Sequence, residues 1–153
     1  MDEKKELTAE GEKAPKSAEE IQRELREKAA EAQARYREAA EAMSEGKGRL
    51  QLETPILAGD KEHTELRYDF NAITGLEYVD AMDTDPNAQQ IYRITYRQGL
   101  ALFARAAAKQ TEDVDMRDIM DRIGGTDATV GVQLATSFFS ASTRAGRMRI
   151  SKM

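Results

Sequence analysis

Residues 68–80 read YDFNAITGLEYVD, and the fold turns on how that stretch is understood. Tyr68 and Phe70 alternate with polar neighbours, as one face of a β-strand does, and Thr74-Gly75-Leu76-Glu77 then opens a helix. A strand running through glycine into a helix is also how phosphate-binding loops begin. Such a loop needs several glycines whose amides converge on the anion, usually with a Lys or Arg beside them. Here Gly75 stands alone, Glu77 follows it, and Asp69 and Asp80 lie close by, so a phosphate would meet carboxylates. A capping box accounts for Thr74 and Glu77. The stretch is therefore a corner between a hairpin and a helical body, with Gly75 at a turn where a β-branched residue would be crowded.

Upstream of the corner, Leu50, Leu52, Thr54 and Ile56 alternate, as do Thr64, Leu66, Tyr68 and Phe70. That pattern predicts a hairpin with one apolar face and a turn near Gly59-Asp60. A lone hairpin is marginal in water, so the segments after it must cover that face. Downstream, a short helix runs to about Met82 with Leu76, Val79 and Met82 expected inward. DTDPNAQQ (83–90) reads as a loop. Thr95-Tyr96-Arg97-Gln98 is another capping box, starting a helix to about Lys109 whose Leu100, Phe103, Ala104 and Ala107 share a face. Asp113 is expected to cap a short helix carrying Met116, Ile119, Met120 and Ile123, stopped by Gly124-Gly125. Asp127 then begins a last helix to about Thr143, with Val130, Leu134 and Phe138 on one stripe.

Upstream of the hairpin the character changes. The first 48 residues hold thirteen acidic and ten basic side chains, with only Leu7, Ile21, Leu25, Tyr36 and Met43 as sizeable apolar groups. Residues 1–16 have almost nothing to bury and are expected to be disordered. From the capping box Ser17–Glu20, an Ala-, Glu- and Arg-rich helix is predicted to about Met43, ended by Gly46 and Gly48, with Glu24/Lys28 and Glu31/Arg35 pairs one turn apart. Lys28 and Ala32 fall where a coiled-coil seam needs bulk, which favours a solvated helix. The expected organisation is a leader (1–16), a charged helix with a glycine-containing linker (17–48), a hairpin-plus-helices domain (49–146) and a basic tail (147–153). The fold class is α+β, mainly α: a hairpin followed by about four helices, preceded by the long charged helix.

Composition narrows the functions. Of the 153 residues, 33% are charged, the net charge is -5, and cysteine is absent; mean hydropathy is -0.69. The acidic balance argues against nucleic acid, whose binding depends on Lys and Arg neutralising phosphates. No apolar run approaches the ~20 residues that span a bilayer, and the charged start lacks the form of a secretory signal. A soluble cytoplasmic protein without disulfides is expected. His63 is the only histidine, so no transition-metal set is available. Asp113, Asp115 and Asp118 lack the glycine and terminal glutamate of a calcium loop. No nucleophile has a base or a Gly-x-Ser-x-Gly turn beside it. The expectation is a non-enzyme with no metal and no cofactor. DIMDRIGGTDATVGVQLAT (118–136) has the outline of a helix-turn-helix, yet its second helix offers a base edge little beyond Gln133.

In order of features, residues 50–150 resemble the tail assembly chaperones of long-tailed phages and prophages of Gram-positive bacteria. The matching pieces are LQLETPILAGDKEHTELRYDF (50–70), the corner NAITGLEYVDA (71–81), QGLALFARAAAK (98–109) and DIMDRIGGTDATVGVQLATSFF (118–139). The resemblance implies a non-enzymatic protein that binds and solubilises the tape measure protein and recruits tail tube protein around it. A head–tail connector component retained in the virion and a small DNA-binding regulator are the alternatives. The partner surface is expected on the last helix and the Ala-rich one. Leu102, Phe103 and Phe139 are its anchors, with Arg144 and Arg147 at the rim, because both helices carry more large apolar groups than one core face needs. The adjacent rings Phe138 and Phe139 leave self-association open as well.

Overall fold

The computed structural model describes residues 15–88 and 93–153. The fold is α+β and mainly helical, as expected: a long helix α1 (Ala18–Glu45), a hairpin β1 (Lys47–Ala58) and β2 (Lys61–Asp69), then α2 (Gly75–Met82), α3 (Tyr96–Gln110), α4 (Met116–Arg122) and α5 (Gly125–Arg149). The leader expected at 1–16 falls almost wholly outside the described residues, as does the end of the 83–90 loop. Two compact units divide at Glu38 and Ala39. The last turns of α1 therefore belong to the body, which begins earlier than the boundary at 49. The reason is local. Gly46, in the left-handed region at φ 72°, reverses the chain, and its carbonyl accepts from the Phe70 amide at 2.9 Å. Asn71 Nδ2 donates to the Glu45 carbonyl at 2.9 Å.

The hairpin turns at Gly59-Asp60, with Gly59 at φ 61°. Its register is broken on one strand. Gln51 pairs with Glu65 and Ile56 with His63, so five steps along β1 face two along β2. The three extra residues form a bulge that holds Pro55, which has no amide to give a ladder. The freed amides of Glu53 and Thr54 point instead at the Asp127 carboxylate, 3.0 and 3.1 Å away. The edge of β2 is covered too: the Thr111 hydroxyl accepts from the Arg67 amide at 3.0 Å and donates to its carbonyl.

Helix α3 lies at the centre. It packs on β2, α2, α4 and α5, and eight of its fifteen residues are buried, on more than one face. Tyr68, Phe70 and Phe103 form a ring cluster with centroids 5.5–6.5 Å apart, and Phe138 stacks on Phe70 at 5.1 Å. Glycines let α5 approach: a Cβ at Gly131 would stand 2.7 Å from the Phe103 ring, and one at Gly99 would stand 3.2 Å from Val132 Cγ1.

Four local expectations are corrected. On α2, Leu76 and Val79 point outward, 73% and 50% exposed, while Tyr78, Ala81 and Met82 face the core; the helix is rotated so that its smallest apolar residue meets α3. The cap of α4 is Asp115, whose side chain accepts from the Asp118 amide; Asp113, at φ 62°, instead pairs with Lys61 at 2.6 Å. Helix α5 starts at Gly125 behind an uncapped Gly124, because Asp127 serves the β1 bulge, and it continues to Arg149. A Cβ at Gly75 would meet nothing within 4 Å, so the corner rests on the capping box and crowding plays no part. The boxes at Thr74/Glu77 and Thr95/Gln98 are both complete.

Candidate functional site

Of the five residues expected to bind a partner, the structure brings only Leu102 and Phe139 to one cleft and does not gather the five as one open surface. Leu102 and Phe103 are fully buried. They belong to the core because α3 is enclosed on several faces, so the large residues outside its first apolar stripe are needed there as well. Phe139 is half-buried and stacks on Tyr78, with centroids 6.3 Å apart and planes 7° from parallel; burial raises the Tyr78 phenol pKa. The two rings wall a cleft of about 350 Å³ with Ile73 and Thr143. Arg144 and Arg147 are exposed on the final turns of α5.

The larger concavity is a groove of about 820 Å³ along the other side of the α3–α5 contact. Tyr96 and Leu100, one turn apart on α3, form one wall, and Ala128, Val132 and Thr136 of α5 form the other. The Gly99 and Gly131 contacts draw the helices together at this crossing and leave those side chains standing outside it. Met43, from the last turns of α1, adds an unbranched side chain that repacks easily. Tyr96 is 85% exposed. The lip is polar: Arg97 on α3, with Thr129, Gln133 and Ser137 on α5. An apolar trough with a polar rim and adaptable side chains is the form that receives an amphipathic helix. Sequence reasoning placed the surface on these two helices but missed the groove residues. The available signal was Tyr96 with Leu100 at i,i+4, an apolar pair just inside a capped N-terminus.

Several of the remaining polar groups have structural partners. Lys109 donates to the Glu77 carboxylate at 2.7 Å and to the Ala72 carbonyl at 2.8 Å; the bond from Lys109, helped by those from Thr74, lowers the Glu77 pKa. Lys61 likewise lowers that of Asp113. Among the described residues no cluster of His, Cys, Asp or Glu could hold a metal ion, and no helix is long and apolar enough to cross a membrane. In the helix pair α4–α5, the first turn of α5 lies against β1 through the buried Asp127, so it is not a free recognition face.

Comparison with protein-family models, with curated proteins and with solved structures returned no match to this chain.

Proposed function

We propose that the protein is a tail assembly chaperone of a long-tailed phage or prophage, which seats an amphipathic helix of the tape measure protein in the α3–α5 groove. The observation that carries this reading is the groove itself, apolar within and polar at the lip. Tape measure proteins are long helices with apolar stripes that aggregate when uncovered. A chaperone for them needs a trough for one such stripe and no catalytic group. The order of hairpin, corner, Ala-rich helix and closing helix supports the same assignment. On this reading the protein acts in the host cytoplasm during assembly, recruits tail tube subunits to the covered tape measure, and leaves before the virion is complete.

The test is co-expression with fragments of a tape measure protein. The expected result is that a fragment insoluble alone becomes soluble and co-purifies, and that Val132→Glu, which puts a charge in the trough, abolishes both effects. Mass spectrometry should find the protein in infected cells and not in purified virions. Stoichiometric presence in the virion would instead make it a structural component and overturn the proposal.

A further inference from the structure

Apart from the groove, the chain leaves a second apolar feature uncovered, on α1. None of the 28 residues of that helix is buried. In the part up to Glu38, Ile21, Leu25 and Tyr36 are 46%, 61% and 77% exposed. At 100° per residue the three fall within about 60° of one another, on one narrow stripe. Ala29 and Ala32 lie on the same side between Leu25 and Tyr36, so the stripe is bulky at its ends and hollow in the middle.

The charges nearest the stripe are cationic on both sides. Lys28 and Arg35 come next to Ile21 around one edge, and Arg26, past Gln33, is the first charge around the other. Every glutamate of this part of α1 lies farther round: Glu19 past Arg26, Glu24 and Glu31 behind Lys28 and Arg35, and the rest on the opposite face. Glu24 is held by Lys16 at 2.5 Å. Among the described residues Arg26, Lys28 and Arg35 form no ion pair.

We infer that this part of α1 is a docking surface for a partner helix whose own apolar stripe is bordered by carboxylates, with Leu25 and Tyr36 as anchors and the hollow at Ala29 and Ala32 receiving a large side chain of the partner. Charges bordering an apolar seam set the choice and orientation of a helical partner, and here they call for the opposite sign. A second copy does not supply it. Antiparallel pairing sets Lys28 and Arg35 against like charges, and parallel pairing gives them only Gln33 and Ala40. The α3–α5 groove does not supply it either, since Arg97 is the only charged residue lining it. The inference concerns a surface other than the groove and does not depend on what the groove binds.

Two labelled synthetic helices serve as probes, one with a leucine stripe bordered by glutamates and a twin bordered by lysines. With the full-length protein, fluorescence anisotropy should show the glutamate probe binding about tenfold or more tightly than its twin and weakening as salt is raised. Lys28→Glu combined with Arg35→Glu should reverse the preference, and Leu25→Ser should weaken the glutamate probe, both with an unchanged circular dichroism spectrum. Val132→Glu, in the groove, should leave that probe bound. The inference is overturned if neither probe binds, if both bind equally, or if the double reversal leaves the preference in place. Loss of binding in Val132→Glu would put the probe in the groove and overturn it as well. So would sedimentation showing a dimer of the unmodified chain that Leu25→Ser returns to the 17.1 kDa monomer, which would assign the stripe to a second copy.

Discussion

Helices α1 and α3 are both rich in alanine and carry arginine and glutamine, yet one buries nothing and the other buries more than half of its residues. Charge and bulk make the difference. Over its 28 residues α1 has four large apolar side chains on a single line, and nearly every other position is charged or alanine. Helix α3 packs Leu100, Leu102 and Phe103 into four residues, on different faces. A helix apolar on several sides is stable only when enclosed, and a helix apolar along one line is soluble but leaves that line open. Alanine permits either outcome, since it favours helix and demands no particular surroundings. The core is thus built around α3, and α1 is free to serve contacts outside the core.

The contrast can be tested from both sides. The largest expected effect is at the centre of the ring cluster, where Phe103→Ala should cost about 3–5 kcal/mol, as for other buried aromatic truncations, measured by urea denaturation. A loss below about 1 kcal/mol would mean that α3 is not the core helix, since surface changes rarely exceed half of that. Next comes Asp127→Ala, which leaves the Glu53 and Thr54 amides of the bulge without their acceptor. About 2–3 kcal/mol should be lost, the range for hydrogen bonds to a charged group, and Asp127→Asn should recover part of it. Equal damage from both would point to packing and not to those two bonds.

Ala107→Gly in α3 against Ala30→Gly in α1 makes the same chemical change in the two helices. The first should cost about 1 kcal/mol or more, propensity plus lost packing. The second should leave the cooperative transition unmoved and lower only the helical signal before it. A shift in the main transition from Ala30→Gly would show that the outer part of α1 is tied to the folding of the body. The smallest effect is one of pH. Glu77 has its pKa lowered by Lys109, so the pair stabilises the fold fully above the ordinary carboxylate range and is lost as pH falls through the lowered value. Glu77→Gln should therefore lower stability slightly near neutrality, converge with the unmodified chain in strong acid, and so flatten the acid side of the stability curve. A loss confined to acid pH would have the wrong sign for this pair.

Features signalled within a few residues were legible in the sequence. The boxes at Thr74/Glu77 and Thr95/Gln98, the Gly59 turn and the end of α1 at Gly46 each depend on neighbours that the chain displays side by side. The bulge, the use of Asp127 and the rotation of α2 were not legible. Asp127 looked like a helix cap because its role depends on amides 73 and 74 residues away. Leu102 and Phe103 looked like spare anchors because periodicity assigns one face to a helix, and α3 has more than one. The groove was hidden for a related reason: it exists only where Gly99 and Gly131 bring α3 and α5 together, and Met43 joins it from a segment that reads as a solvated charged helix.

The most direct test of the central claim, that the α3–α5 groove is where a client helix sits, is hydrogen–deuterium exchange of the full-length protein with and without a soluble tape measure fragment. The account predicts that added protection concentrates in residues 96–100 and 128–137, where the two walls lie. Protection confined to α2 and residues 139–147, beside the Tyr78–Phe139 stack, or to the hairpin, would contradict it.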